Sequence, residues 1–282
     1  MEKLIIKITQ KSIGLYFNTL AILNSKLLEK KGFELFCNPM TKPLEKHQLD
    51  FLEKGKSSII MHDNITIQTY KWGNGSKKVL LIHGWASHTF RWKSYIKTLL
   101  KNDFTVYAFD APAHGLSTGK MLNLVLYSKI IDLMIIKNND IESIISHSIG
   151  GFATTFWLHE NKKNSSNVKN VVIMGAPGEA KDFFDFYRNI LSLSTKSTQT
   201  IMKSFADFLG YEPSYFSSSK FALEMDKNCL IIHDKKDKDT NPKYSIELNK
   251  NWRNSKLILT EGLGHNLKST ELEEKVIQFI SN

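Results

Sequence analysis

Three residue types that together can cleave an acyl bond occur in this chain, each soon after an apolar run. Ser148 comes first, Asp237 second and His265 third. A serine hydroxyl is a weak nucleophile at neutral pH and needs a base within hydrogen-bond reach, a task that suits an imidazole with its ordinary pKa of about 6.5. A carboxylate fixes the tautomer of that imidazole and stabilises its protonated form. We therefore predict Ser148 as the nucleophile, His265 as the base and Asp237 as the orienting acid, and the spacing favours Asp237 over its rivals Asp234 and Asp239.

The segment around Ser148 predicts a strand, a sharp turn and a helix. A β-branched run stops at Ser148, small residues occupy positions 146 and 150, and a helical pattern begins at once. A nucleophile elbow needs small neighbours because the turn holds the serine in a strained backbone conformation. A serine before a helix is also a common N-cap, so this string alone does not decide between the two roles.

Apolar runs and helical patterns alternate along most of the chain. The run Val79–Ile82 is apolar throughout, which is typical of a strand buried on both faces of a parallel sheet. Two earlier runs surround Asp63 and Asn64 and predict a hairpin. The alternation predicts an α/β fold with a doubly wound, mostly parallel sheet and ligand sites at the carboxyl ends of its strands. The predicted strands are 58–62, 65–70, 79–82, 105–109, 141–146, 171–174, 229–232 and 257–259.

One insertion interrupts this alternation. Residues 179–222 carry helical and aromatic segments without a strand-like run, so we predict a core of residues 58–178 and 223–282 with a helical cap between them. Both ends of the insertion emerge at the carboxyl edge of the sheet, which places the predicted cap over Ser148. Its aromatic side chains either hold the cap helices together or bind the substrate, and we predict that some of them line an acyl pocket: Phe183, Phe184, Phe186, Tyr187, Phe205 and Phe208.

Several short motifs fall in order at the predicted strand ends, and together they resemble the α/β-hydrolase fold superfamily over roughly residues 58–282. The order Ser, Asp, His on a parallel sheet is the one associated with that superfamily. The motifs are His83-Gly84, the segment 110–117 (Asp-Ala-Pro-Ala-His-Gly-Leu-Ser), the Ser148 elbow, His233-x-x-x-Asp237 and Gly264-His265. The second motif is similar to that of a bacterial subgroup of generic, esterase-like serine hydrolases.

The resemblance implies an esterase-like fold with a helical cap and no shared substrate. It implies that the backbone N–H groups of Trp85 and Ile149 form an oxyanion hole, where the N-terminus of a helix favours developing negative charge. Asp110 and His114 are expected to hold a loop in place rather than to do chemistry, and His83, at the end of a predicted buried strand, is expected to be structural. The chain departs from the family pattern with Ser146 and Asp234 where many members have glycine, and with Pro242 a little late after the acid.

Composition argues against several other classes of function. The formal net charge of +10 raises nucleic acid as a partner, but the basic residues are spread along the chain and are nearly all lysine, with arginine only at positions 91, 188 and 253. Because guanidinium groups are the usual tool for phosphate and base recognition, we predict no nucleic-acid binding. Neither a CxxC motif nor a histidine pair at helical ligand spacing occurs, so we predict no metal and no cofactor. Cys37 and Cys229 lie in apolar surroundings and are predicted to be buried free thiols.

Residues 1–57 form a predicted N-terminal segment, in which 4–36 is apolar, lysine-rich and helical in periodicity. We favour a helix packed on the core because several of its faces are apolar, and contact with a membrane surface is the alternative. The first residues have charges inside the apolar run and do not resemble a secretory signal, and no stretch reaches the ~18 apolar residues of a membrane span. We therefore expect a cytoplasmic protein.

Together these features predict a serine hydrolase that forms an acyl-enzyme. An ester of a small or medium carboxylic acid is the expected substrate, because an insertion rich in Phe and Tyr implies an apolar acyl or alcohol group. Thioesterase, peptidase and carbon–carbon bond hydrolase activities share the same residues and stay open. A non-catalytic ligand-binding protein of the same fold and a peripheral membrane lipase are the remaining alternatives.

Overall fold

Eight strands form one sheet in the computed structural model, which describes residues 2–281 and the side chains from Leu4 onward. The strand order is β1-β2-β4-β3-β5-β6-β7-β8, with antiparallel pairing of β1 with β2 and of β2 with β4, and parallel pairing elsewhere. The predicted doubly wound, mostly parallel sheet is therefore confirmed. The strands are β1 (Lys56–His62), β2 (Ile65–Trp72), β3 (Lys77–Ile82), β4 (Phe104–Phe109), β5 (Ser143–His147), β6 (Asn170–Met174), β7 (Asn228–Asp234) and β8 (Ser255–Thr260).

Helices connect most of these strands, and further helices precede β1 and follow β8. In the described residues they are α1 (Glu2–Leu23), α2 (Ser25–Phe36), α3 (Lys46–Leu52), α4 (Lys93–Lys101), α5 (Leu124–Lys137), α6 (Ile149–Glu160), α7 (Ala180–Leu191), α8 (Thr195–Leu209), α9 (Ser218–Phe221), α10 (Lys243–Asn251) and α11 (Thr270–Ser281). The chain divides into two units, which are described separately.

The α/β unit comprises Pro39–Gly178 and the residues from Ser218 onward. Its central strands are buried along their whole length because both faces of the sheet are covered. Apolar residues of α4 and α11 pack on one face against alternate residues of the strands. The other face carries Phe109, whose ring lies 5.9 Å from that of Tyr127 in α5. This packing fixes the carboxyl ends of the strands, where the predicted site residues lie.

The helical unit comprises the residues up to Asn38 together with Glu179–Ser217. Its interior is a cluster of rings: Phe36 stacks on Phe184 at 4.3 Å, and the ring of Phe205 lies 6.4 Å from Phe33 and 6.2 Å from Phe36. Gly14 of α1 lies so close to the carbonyl oxygen of Leu191 in α7 that a Cβ would overlap it. The unit is therefore held by contacts between its N-terminal helices and the helices of the insertion.

These boundaries differ from the predicted ones. The sequence predicted residues 1–57 as one segment on the core, whereas α1 and α2 join the insertion and residues from Pro39 onward belong to the α/β unit. The physical reason is aromatic packing, because Phe36 meets the insertion while Phe51 of α3 lies 6.1 Å from Trp72 of β2. The insertion is also shorter than predicted, since Phe221 of α9 packs in the α/β unit, 5.7 Å from Phe156.

Helix α1 uses only one of its faces for packing. Phe17, Leu20 and Ala21 are buried, while apolar side chains on the opposite side are exposed, among them Leu15 and Ile22. None of the helices described is long and apolar enough to cross a membrane.

Candidate active site

Ser148 lies at the junction between β5 and α6, in a backbone conformation that few residues other than glycine adopt. Its φ is 55° and its ψ is −129°, and its N–H donates to the carbonyl oxygen of Met174 at 2.8 Å. A Cβ on Gly150 would overlap the carbonyl oxygen of His83, which explains the need for a small residue there. Ser146 fills the other small position and donates from its hydroxyl to the carbonyl oxygen of Val172 at 2.9 Å. The turn therefore has the predicted elbow geometry, with serine tolerated at the position of the first glycine.

The structure brings the three predicted reactive side chains into one hydrogen-bonded chain. His265 Nε2 lies 3.0 Å from Ser148 Oγ, and His265 Nδ1 lies 2.8 Å from Asp237 Oδ2. A carboxylate can only accept, so Nδ1 of His265 carries the proton and Nε2 is free to accept from the serine hydroxyl. Ser148 is 9% exposed and the imidazole is 18% exposed, so both can meet a small molecule. This arrangement can take a proton from the serine as the oxygen attacks.

The side chain of Asp237 is fully buried, and several donors hold its carboxylate as an anion. Its Oδ1 accepts the backbone N–H groups of Asp239 at 2.8 Å and Thr240 at 3.0 Å, and its Oδ2 accepts the Thr240 hydroxyl at 2.9 Å. The Nε2 of buried His233 lies 3.2 Å from Oδ2. Burial alone would raise the pKa of Asp237, but the hydrogen bonds from His233, His265 and the backbone hold that pKa well below its usual range.

The two rival acids occupy different environments. Asp234 is buried and accepts from the N–H groups of Lys236 and Leu263, at 2.9 and 2.8 Å, so it ties together the loops that follow β7 and β8. Asp239 is exposed, although its carboxylate lies within 4.8 Å of the ligand atoms of Asp237 and His265. These three groups form a cluster that could approach a metal ion, but an ion there would compete with the hydrogen bond between His265 and Asp237. Asp237 is thus the acid that directly contacts His265.

The loop after β3 passes close to the elbow. A Cβ built on Gly84 would lie 2.9 Å from Ser148 Cβ and 3.0 Å from His147 Nδ1, so only glycine allows this approach. Trp85 follows directly, and Ile149 is the first residue of α6, where N–H groups have no carbonyl partner within the helix. Two backbone donors predicted from the sequence thus come from segments that meet at Ser148.

Comparisons with known proteins agree with this architecture. Residues 77–209 match a family model described as alpha/beta hydrolase fold. An esterase from Exiguobacterium antarcticum is similar in structure, with 17% identity and a TM-score of 0.62 over 81% of this chain and 100% of that one. The chain has the α/β-hydrolase fold. The resemblance of its sequence to that superfamily is therefore confirmed.

Other similar structures of the same fold have different printed activities. A monoacylglycerol lipase from Paleococcus ferrophilus is 19% identical, with a TM-score of 0.60 over 76% of this chain and 98% of that one. The thioesterase domain from the curacin biosynthetic pathway is 14% identical, with a TM-score of 0.59 over 80% of this chain and 98% of that one. A search of curated protein sequences finds no significant match. At these identities the likeness establishes the α/β-hydrolase fold alone.

Within this α/β-hydrolase fold, the side chain of His83 connects the loop after β3 to the loop after β4 by hydrogen bonds. Its Nδ1 donates to the carbonyl oxygen of Gly84 at 2.7 Å, and its Nε2 accepts the N–H of Ala111 at 2.9 Å. Burial, followed by the neighbouring His114, lowers the pKa of His83 well below its ordinary value, so the ring stays neutral. The contacts are those of a structural residue, the role predicted from its place at the end of a buried strand.

Asp110 and His114 fasten the loop after β4 of the hydrolase fold to the loop after β3. The Asp110 carboxylate accepts from the Tyr70 hydroxyl at 3.1 Å and from the N–H of Thr89 at 2.8 Å. His114 Nε2 accepts the N–H of Ala86 at 3.1 Å. The N–H of Ala86 is thus occupied, and that of Trp85, the preceding residue, is the oxyanion donor that the resemblance implies.

Two residues at the site had no motif to reveal them. Arg91, in a short 3-10 turn, places Nη1 2.9 Å from His147 Nδ1, and His147 Nε2 lies 2.8 Å from the carbonyl oxygen of His265. The available signals were the scarcity of arginine in a lysine-rich chain for Arg91 and, for His147, its place directly before Ser148. The contact itself depends on three segments that are distant in sequence.

The aromatic residues predicted to bind substrate have unequal surroundings. Phe184 and Phe205 are buried inside the helical unit, and the ring of Tyr187 lies 5.3 Å from Phe36. Phe186 and Phe208 are 65% and 62% exposed. The burial of Phe184 and Phe205 favours the alternative prediction, in which these rings hold the helices of the insertion together. Phe183 is half-buried.

Proposed function

We propose that the protein is a serine hydrolase that cleaves carboxylic esters through a covalent acyl-enzyme. The observation that supports this most is the hydrogen-bonded chain from Ser148 Oγ to His265 Nε2 and from His265 Nδ1 to Asp237. The strained backbone of Ser148 at the start of α6 adds to it, because that geometry presents the hydroxyl at the apex of the turn. The α/β-hydrolase fold and its esterase-like and lipase neighbours are consistent with hydrolysis of an acyl bond.

The first half of the proposed reaction transfers the acyl group to the enzyme. Ser148 Oγ attacks the carbonyl carbon of the ester while His265 Nε2 takes its proton, and Asp237 stabilises the imidazolium that forms. The carbonyl oxygen becomes an oxyanion, for which the N–H groups of Trp85 and Ile149 are the proposed donors. When the tetrahedral intermediate collapses, the bond to the alcohol breaks and His265 gives its proton to the leaving oxygen.

The second half returns the enzyme to its starting state. A water molecule attacks the acyl carbon as His265 takes one of its protons, and a second tetrahedral intermediate forms. That intermediate releases the carboxylic acid when Ser148 Oγ leaves and regains the proton from His265. One ester and one water thus give one acid and one alcohol, with no change in the protein.

Labelling with a fluorophosphonate probe tests this proposal, because the probe bonds covalently to an activated serine. We expect the wild-type protein to be labelled at Ser148 and the Ser148→Ala variant to remain unlabelled. Buried Ser146 provides a matched control, since Ser146→Ala leaves the nucleophile in place and is expected to keep the label. A wild-type protein that takes no label and cleaves no chromogenic ester would favour the alternative, a non-catalytic ligand-binding protein.

A series of acyl groups on one chromogenic alcohol, with a matched thioester, would then separate esterase from thioesterase activity. We expect the higher kcat/KM on the ester. The reverse preference would contradict the esterase assignment but keep the serine mechanism, because both substrates use the same nucleophile and base.

A further inference from the structure

A chain of hydrogen bonds connects Arg91, through His147, to the backbone of the residue that bears the proposed base. Arg91 Nη1 lies 2.9 Å from His147 Nδ1, and His147 Nε2 lies 2.8 Å from the carbonyl oxygen of His265. A guanidinium can only donate, so Nδ1 of His147 accepts, and Nε2 carries the proton that is donated to the carbonyl. Arg91 therefore fixes the tautomer with which His147 holds the His265 backbone.

Both side chains are confined to one protonation state. Burial, followed by the charge of Arg91, lowers the pKa of His147 well below its ordinary value, so the ring stays neutral. Burial lowers the pKa of Arg91 to about 10, so the guanidinium stays charged at neutral pH. Arg91 therefore donates to His147, and His147 donates to the carbonyl oxygen of His265, at every pH near neutrality.

The surroundings of Arg91 are unusual for a cation that is largely withdrawn from water. Its guanidinium lies 4.8 Å from the Trp92 ring, its Nη2 is 3.4 Å from the carbonyl oxygen of Asn266, and its Nε has no hydrogen-bond partner among the described residues. These partners are neutral groups, the His147 imidazole, the Trp92 indole ring and the Asn266 carbonyl, and none of them is a carboxylate. Desolvation of a cation costs free energy that such neutral partners offset only in part, which indicates a role in the site rather than in overall stability.

The topology explains why the His265 loop needs such a support. Strand β8 is at the edge of the sheet, separated from β5 by β6 and β7. At a spacing of about 4.8 Å between strands, the loop after β8 must reach across about 14 Å to bring His265 to Ser148. His147 is the residue directly before Ser148, so its bond to the His265 carbonyl ties the far loop to the elbow itself.

We propose that Arg91 and His147 are positioning residues that set the separation of His265 Nε2 from Ser148 Oγ. Neither side chain exchanges a proton with the substrate. Both act through the backbone of His265, which Arg91 reaches by way of His147. The rate measurements below rest on the proposed function, whereas the spectroscopic measurement does not.

The test compares His147→Leu, which removes both hydrogen bonds, with His147→Gln, whose amide Nε2 can still donate to the carbonyl. Misplacement of a reacting group by about 1 Å lowers a rate by about 10²-fold, so we expect His147→Leu to lose about that much in kcat and in fluorophosphonate labelling rate, with KM little changed. We expect His147→Gln to recover most of the loss. A merely structural role would lower the melting temperature without this selective recovery of kcat.

A double-mutant cycle tests whether Arg91 acts through His147. We expect Arg91→Gln to lower kcat in the wild-type background and to have little further effect in His147→Leu, because the partner through which it acts is then missing. Should His147→Leu not fold, Arg91→Gln and Arg91→Lys carry the same comparison, since both leave the side chain of His147 in place. Additive losses in the cycle would overturn the proposed chain.

The proton on His265 Nδ1, which bonds to Asp237, provides a readout that needs no substrate. We expect its downfield NMR resonance to shift or broaden in His147→Leu and to stay near the wild-type position in His147→Gln. An unchanged resonance together with an unchanged labelling rate in folded His147→Leu would overturn the proposal. A wild-type protein that takes no label would contradict the hydrolase function, and the resonance would still decide whether His147 positions His265.

Discussion

At the scale of single residues, the two partners of His265 differ in their freedom to move. The side chain of Asp237 is fully buried and its two oxygens accept from backbone, hydroxyl and imidazole donors, so the carboxylate has one orientation. Ser148 is held by its backbone, whereas its hydroxyl can rotate toward His265 or toward a substrate. A rigid acid and a rotatable nucleophile suit an imidazole that must first accept a proton and then deliver it.

Replacement of Asp237 by Asn is expected to abolish most of the activity while the protein stays folded. The amide donates to Nδ1 of His265, which puts the ring proton on Nε2 and prevents that atom from accepting the serine proton. We expect kcat to fall about 10⁴-fold, measured on a chromogenic ester. Asp239→Asn removes the exposed neighbouring carboxylate and is expected to keep most of the activity. If Asp239→Asn were inactive and Asp237→Asn active, the acid would have to be reassigned.

At the scale of elements, the helical unit depends on rings contributed by two distant parts of the chain. Phe184 of α7 stacks on Phe36 of α2, and Phe205 of α8 lies 5.2 Å from Phe184 with its ring perpendicular. Such pairs add to the free energy gained from burial of the rings themselves. Helices α2, α7 and α8 consequently pack around one shared interior.

Truncation of a buried ring is therefore expected to lower stability rather than to change substrate preference. Phe184→Ala or Phe205→Ala leaves a cavity and is expected to cost about 3–5 kcal/mol of unfolding free energy. Phe186→Ala is a matched control in the same helix, with an exposed ring and an expected change within about 0.5 kcal/mol. Melting temperature and kcat/KM across an ester series measure the two effects. A changed acyl-chain preference in Phe184→Ala or Phe205→Ala would restore the interpretation that these rings line the acyl pocket.

The elements around the site could be predicted because their signals are local. The β-branched run before Ser148, the small residues on either side and the helical pattern after it lie within one short segment. The partner of the N-terminal helices could not be predicted in this way. Apolar periodicity shows that a face of α1 or α2 is buried, but it does not say which apolar surface covers that face. The position of Arg91 likewise depends on the strand order, which no local pattern contains.

At the scale of the whole molecule, the excess of basic residues makes the folded state sensitive to acid. The chain has 38 lysines and arginines against 28 acidic residues, so protonation of carboxylates makes an already positive protein more positive. Asp234 is the last residue of β7 and Asp237 lies in the loop that follows it, and hydrogen bonds hold the pKa of each below its usual range although burial alone would raise it. Both carboxylates therefore stabilise the folded state at neutral pH as anions.

The pH dependence of this stabilisation follows from the direction of the shift. An unfolded aspartate has a pKa of about 3.9, and a folded pKa below that value means that the unfolded state binds the proton more readily. The contribution of Asp237 is thus fully present above about pH 4 and is lost as the pH falls toward the folded pKa. We expect the unfolding free energy of the wild-type protein, measured with urea, to fall steadily as the pH drops below about 4. Asp237→Asn, less stable at neutral pH, is expected to show a shallower fall, because the variant has no proton to take up there.

General charge repulsion is nearly the same in both proteins, so the difference between the two curves isolates Asp237, and Asp239→Asn is expected to follow the wild-type curve. Parallel curves for the wild-type protein and Asp237→Asn would show that the hydrogen bonds to Asp237 do not favour its charged form.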